Sequence, residues 1–137
     1  MSDQEPQLLT VDEVLELHAD QLRLFGGTEG LRDRNALESA VATPWVTFGG
    51  EFLHATVFDM AAAYAFHIAE NQPFLDGNKR TALNAALVFL EINGVHVEDP
   101  TMQLYDAMLG LAARTITKGS LADLFRMLAN SSRNLES

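Results

Sequence analysis

Residues 55–92 run ATVFDMAAAYAFHIAE (55–70), NQPFLDG (71–77) and NKRTALNAALVFLEI (78–92), and the architecture follows from how these three segments differ. The first is strongly helical from about His54 to Glu70, and its Ala-rich centre lets another helix approach closely. The second breaks the pattern with a proline and a glycine. The third opens at Asn78 and is apolar on nearly every side, with Ala82, Leu83, Ala85, Ala86, Leu87, Val88, Phe89 and Leu90. A helix with no polar face is a buried central one. Two long helices joined by a seven-residue break therefore form the heart of the molecule.

Outward from this pair, the other segments also read as helices. Thr10-Val11-Asp12-Glu13 has capping-box spacing, and apolar residues recur helically to about Phe25, where Gly26-Gly27 stops the run. Asp33 is placed to cap a second helix carrying Ala36, Leu37, Ala40 and Val41, ended before Pro44. Pro44 to Phe52 differs: Val46, Thr47 and Phe48 favour extended structure and Gly49-Gly50 suits a tight turn, so this is a short flap or hairpin. Gly94 suits the end of the central helix. Asp99-Pro100 reads as cap and first turn of a fifth helix to about Arg114, and Ser120 as the cap of a last one, LADLFRMLA. The expectation is a single all-α domain over residues 1–137, a helical bundle with core about 8–130 and frayed ends, including a tail from Ser131 to Ser137.

Composition narrows the function. The chain has 137 residues, enough for one core. With no cysteine it has neither a disulfide framework nor a thiolate metal site, and its histidines lack metal-ligand spacing. The acidic, polar N-terminus is not a signal peptide and no apolar stretch reaches membrane-spanning length, so a soluble cytoplasmic protein is expected. A formal net charge of −10 argues against direct nucleic-acid binding, which needs the opposite sign.

Against that background Lys79-Arg80 stands out as the only adjacent basic pair. It lies at a helix N-terminus, where the first N–H groups lack internal partners and the dipole is positive. Basic residues there oppose the dipole, so they are misplaced for stability alone. Gly77 lets the backbone approach a ligand, and the combination makes a phosphate nest. Asp76 beside it is either an N-cap or a carboxylate that holds Mg²⁺ against nucleotide phosphates.

Phe74-Leu75-Asp76-Gly77-Asn78-Lys79-Arg80 resembles the Fic/Doc signature, His-x-Phe-x-(Asp/Glu)-Gly-Asn-(Gly/Lys)-Arg. Leu17-His18, Gly26-Gly27, Gly30-Leu31-Arg32-Asp33, Leu37-Glu38-Ser39-Ala40, Thr81-Ala82-Leu83 and Asn93-Gly94 extend the similarity to short Doc-type members over roughly residues 8–130. The resemblance implies that Phe74 anchors the loop and Asp76 contributes to metal binding. It implies that Gly77 and Asn78 form an anion hole, with Asn78 orienting phosphate, and that Lys79 and Arg80 bind phosphates. The flap at Pro44–Phe52 would align a target polypeptide.

Two departures shape the implied activity. Lys79 stands where AMP-transferring members usually carry glycine, and in Doc-type members lysine accompanies phosphate transfer from ATP. Gln72 stands where the signature has its general-base histidine. A glutamine amide orients a hydroxyl but accepts no proton near neutral pH, and loss of a general base costs on the order of 10²- to 10⁴-fold. No other histidine fills the gap. His67 lies five helical steps away, off the face of position 72, and reads as a packed or hydrogen-bonded residue, while His18, His54 and His96 read as structural or surface residues.

The family's inhibitory pattern, (Ser/Thr)-x-x-x-Glu-(Gly/Asn), fails at its last position in both Ser132–Ser137 and Thr47–Phe52, which implies a separate antitoxin. The resemblance thus implies a Doc-like toxin that uses ATP and Mg²⁺ to phosphorylate a hydroxyl on a target protein, of the translation-factor class, weakened by Gln72. An inactive binding module and an AMP transferase are the alternatives.

Overall fold

The computed structural model describes residues 6–48, 51, 52, 54 and 56–136. Its helices are α1 (Val11–Phe25), α2 (Arg34–Ala42), α3 (Val57–Asn71), α4 (Asn78–Ile92), α5 (Gln103–Ala112) and α6 (Lys118–Glu136). Two-residue strands β1 (Thr47–Phe48) and β2 (Glu51–Phe52) pair antiparallel between α2 and α3. The protein is all-α apart from this hairpin, whose Gly49-Gly50 turn falls outside the described residues. Among the described residues no helix is long and apolar enough to cross a membrane.

Local chemistry explains the helix ends. Thr10 and Glu13 form the reciprocal box at the start of α1, with Glu13 N–H donating to Thr10 Oγ1 at 3.2 Å and Thr10 N–H to Glu13 Oε1 at 2.8 Å. Asp33 caps α2 through a 3.0 Å bond from Ala36 N–H. α2 ends at Ala42, before Pro44 as expected, but the segment expected to open the flap at Pro44 first makes a 3₁₀ turn, Thr43–Trp45, with Pro44 buried. α3 begins at Val57, three residues after His54, because Thr56 and Asp59 make a second capping box. α4 ends in a Schellman motif: Gly94 N–H reaches Glu91 O and Val95 N–H reaches Leu90 O, with Gly94 left-handed at φ 82°.

Three boundaries in the C-terminal part depart from the sequence reading. Asp99 does cap α5, but from a distance, accepting Gln103 N–H and Leu104 N–H at 2.8 Å each, so the helix starts at Gln103. Thr117, not Ser120, caps α6, through a 3.1 Å bond from Ser120 N–H. α6 then continues to Glu136 instead of giving way to a frayed tail at Ser131.

α3 and α4 lie side by side at the centre, with α2 and α6 against α3 and α1 against α4. The run Met60–Ala65 is wholly buried, as are Ile68, Phe89, Leu90, Met108, Leu121 and Phe125. The short side chains at Ala61, Ala62, Ala65, Ala82, Ala85 and Ala86 make that close central packing possible. Tyr64 sits in this core, where its hydroxyl accepts Leu9 N–H at 2.8 Å and ties the N-terminal segment across the bundle. Burial pushes the Tyr64 hydroxyl pKa up to about 12. At the edge of α3, Lys118 Nζ donates to His54 Nε2 at 3.2 Å and to His67 Nε2 at 3.1 Å. This joins the end of the hairpin, α3 and the start of α6. Burial, with Lys118 beside it, lowers the His67 pKa to about 4 and shifts His54 in the same direction.

Candidate functional site

The six-residue break between α3 and α4, residues 72–77, is an extended strap held from below by residues distant in sequence. Pro73 disfavours the right-handed helical conformation at the preceding residue, and Gln72 turns left-handed at φ 46° and ψ 58°. That conformation costs a non-glycine residue about 1 kcal/mol or more. Arg32 stabilises it: its guanidinium donates to Gln72 O at 2.7 Å and to Asn71 O at 2.9 Å, where the C-terminal carbonyls of α3 need partners. The backbone of residues 30–33 runs alongside. Arg32 N–H and Asp33 N–H both donate to Pro73 O, and Leu75 N–H donates to Gly30 O at 3.0 Å. Glycine is favoured at two upstream points, Gly27 and Gly30, whose φ of 124° and 135° other residues rarely adopt and where a Cβ would lie 2.9 Å from Asp76 Oδ2 and 2.7 Å from Leu75 Cδ1.

Phe74 is the strap's anchor, 2% exposed and stacked on the His18 ring with 3.7 Å between centroids. His18 Nε2–H donates to Asp76 O at 2.8 Å, which fixes its tautomer and the height of the next peptide. Asn78 spends both ends of its side chain on the strap: Phe74 N–H donates to Oδ1 and Nδ2 donates to Phe74 O, each at 3.0 Å. The amide thus braces the loop, while the Asn78 main-chain N–H remains an open donor.

Gly77 is left-handed at φ 76° and offers no side-chain cap to α4. Among the described residues, the N–H groups of Asn78, Lys79 and Arg80 have no hydrogen-bond partner. Three open donors at the positive end of a fifteen-residue helix are an anion site in waiting. Lys79 and Arg80 are exposed beside them and, within the described residues, neither forms a salt bridge. Arg80 lies over the Phe25 ring at 4.4 Å, which orients the guanidinium without neutralising it. Asp76 completes the rim. Its oxygens accept Gly77 N–H at 2.9 Å and Thr28 N–H at 3.1 Å, and these bonds hold its carboxyl below the usual carboxylate range. The group is exposed and ionised, with lone pairs left for a cation.

These residues line a cavity of about 410 Å³. Gln72, Asp76, Gly77, Asn78, Lys79 and Arg80 form one wall; Phe66, Ala69 and Glu70 of α3 form another; Tyr105, Leu111, Ala112 and Arg114 close the far side. The volume suits a small ligand. An apolar groove of similar size, between Leu24, Phe25, Leu83, Leu87 and Met102, shares Arg80 and Tyr105 with it. No cluster of three or more metal-ligating side chains occurs among the described residues. A divalent ion here would rest on Asp76 and take its other ligands from phosphate and water, as Mg²⁺ does.

The structure thus brings every sequence-predicted site residue to one loop and one cavity, except Phe74, which lies beneath. His67 and His54 are elsewhere, on Lys118, and His96 is exposed between Glu91 and Glu98, whose carboxylates raise its pKa. Sequence reasoning assigned no site role to Arg32, His18, Thr28, Glu70, Tyr105 or Arg114. The first two fall within Leu17-His18 and Gly30–Asp33, segments that already carried the resemblance. Ser137, the last position of the inhibitory pattern at Ser132–Ser137, lies outside the described residues.

A helical bundle with a loop of open N–H groups between two buried helices defines the class, and the chain belongs to the Fic/DOC family, whose model matches residues 8–90. It is similar to Protein kinase doc of Escherichia phage P1, 34% identical over 123 residues covering 90% of this chain and 96% of that one. It is also similar to Toxin Doc of Mycolicibacterium smegmatis, 45% identical over 73 residues, 53% of this chain and 56% of that protein.

Proposed function

We propose that this chain is a Doc-like toxin that transfers the γ-phosphoryl group of ATP to a hydroxyl of a target protein, with a rate limited by Gln72. The observation that carries this reading is the row of three unpartnered N–H groups, flanked by Lys79, Arg80 and Asp76, opening into a cavity that residue 72 also lines. The names of the two relatives, a protein kinase and a toxin, support it. In this reading the N–H groups of Asn78 and Lys79 and the Arg80 guanidinium hold phosphoryl oxygens. Asp76 would hold Mg²⁺, which when bound would supply positive charge against the phosphoryl group. Lys79 fills space that a glycine would leave to the phosphates of a transferred AMP.

The target hydroxyl approaches from the side of residue 72. The Gln72 amide can position that hydroxyl but cannot take its proton. Positioning and charge stabilisation carry much of phosphoryl transfer, so slow turnover survives. The hairpin ahead of α3 aligns the target, a translation factor by class, in the cytoplasm, and a separate antitoxin restrains the protein.

The test compares the chain with its Gln72→His variant, incubated with Mg-ATP and a bacterial translation extract. The variant should incorporate γ-phosphate label into protein and arrest growth when expressed without an antitoxin. A variant that transfers nothing and harms no cell refutes the proposal. Label arriving from the α-phosphate instead would indicate AMP transfer. Because of Gln72, a second reading remains in play: a binding module that holds nucleotide without turnover. It predicts ATP binding by the parent chain and no transfer by either protein.

A further inference from the structure

The far wall of the cavity carries a cation that the loop does not explain. Arg114 follows α5 at the position where a Schellman motif calls for a left-handed residue. Arg114 N–H reaches Leu111 O and Thr115 N–H reaches Gly110 O, the same pattern that closes α4. At α4 the left-handed residue is Gly94; at α5 it is arginine, with φ 62°. A side chain there is strained where glycine would not be. Its side chain is 74% exposed and its guanidinium makes a single 3.1 Å bond to Glu70 Oε2, so one of its N–H donors is committed and the rest of the fork is open. Arg114 and Glu70 both line the cavity that holds Gln72, Lys79 and Arg80. Glu70 would repel a phosphate there unless paired.

We infer that Arg114 is a further phosphate ligand, placed across the cavity from the helix N-terminus, and that it selects nucleotides with a polyphosphate chain over monophosphates. Glu70 holds the guanidinium in position in the free protein and yields it to the incoming phosphate. This rests on the reading of the cavity as a nucleotide site. A cation on the opposite wall reaches phosphates that the α4 amides and Arg80 leave uncovered, and AMP has only one to offer.

Calorimetry with Mg-ATP, ADP and AMP on the full chain tests it, with Arg114→Gly as the principal variant. That change removes both the guanidinium and the backbone strain, so the melting temperature should hold or rise. Affinity for ATP should fall about tenfold or more, the loss of one charge-assisted contact, while affinity for AMP changes less than about threefold. Equal ATP affinity in parent and Arg114→Gly, with Arg80→Ala abolishing binding, overturns the inference but leaves the nucleotide site standing. No ATP binding by the parent overturns the nucleotide reading itself. The double variant Glu70→Gln/Arg114→Gly should stay weak; restored affinity would mean that Arg114 merely neutralises Glu70, which also overturns direct phosphate contact.

Discussion

Replacing Asn78 with alanine separates a brace from a ligand. In the structure the Asn78 amide replaces both halves of a backbone pairing for Phe74, accepting from its N–H and donating to its carbonyl at 3.0 Å each. Phe74 is buried, so neither group regains water unless the loop opens. Two such bonds at about 1 kcal/mol each put the loss near 2 kcal/mol, and alanine at the first helical position adds no propensity penalty. For a domain of this size that is a fall in melting temperature of about 8 °C. Asn78→Asp keeps the acceptor and loses the donor, so it should lose about half as much. Differential scanning calorimetry at neutral pH measures all three proteins. A melting temperature for Asn78→Ala within about 2 °C of the parent would refute the assignment, because the loop would then hold its shape without the amide.

Three further outcomes follow from the geometry. Tyr64→Phe should cost about 1 kcal/mol by leaving Leu9 N–H without its partner, read as a shift in urea midpoint at unchanged slope. Acid should destabilise the fold before the carboxylates titrate. His67, near 4 when folded and 6.5 when free, takes up its proton first in the unfolded chain, so stability is complete above pH 6.5 and declines as pH falls toward 4. His67 is only half-buried, so solvent screening reduces its share to on the order of 1 kcal/mol, and His67→Gln should flatten that part of a melting-temperature profile. Asp76→Asn should weaken Mg-ATP binding measured by calorimetry, since it removes the charge and places an amide donor among the Thr28 and Gly77 N–H groups; unaltered affinity would exclude Asp76 as the metal's seat.

Much of this was legible because the signals are local. The Thr10–Glu13 box, the Asp33 cap and the Gly94 terminus each involve residues within a few positions of one another, and each is found where its pattern indicates. The boundaries that moved did so where a side chain acts over a longer reach. Asp99 caps amides four and five residues ahead, and Thr117 takes the role that Ser120 resembled. The candidate loop was visible from its own residues, but its supports were not. His18 reaches Asp76 across 58 positions, Arg32 reaches Gln72 across 40, and Arg114 reaches Glu70 across 44. No periodicity or cap pattern encodes contacts of that range. Gly27 and Gly30, at φ 124° and 135°, read in the sequence as loop residues and carried no sign of what packs beside them.

The order in which these parts occur along the chain has a consequence for synthesis. His18 and Arg32, which hold the loop from beneath, precede it in the chain, its brace Asn78 follows at once, and the opposing wall at Tyr105, Leu111 and Arg114 is made later. A growing polypeptide that has emerged only as far as Ile92 therefore contains the residues of the cradle but not those of the far wall. The cavity is complete only once Arg114 has emerged, and a shorter nascent chain lacks one of its walls.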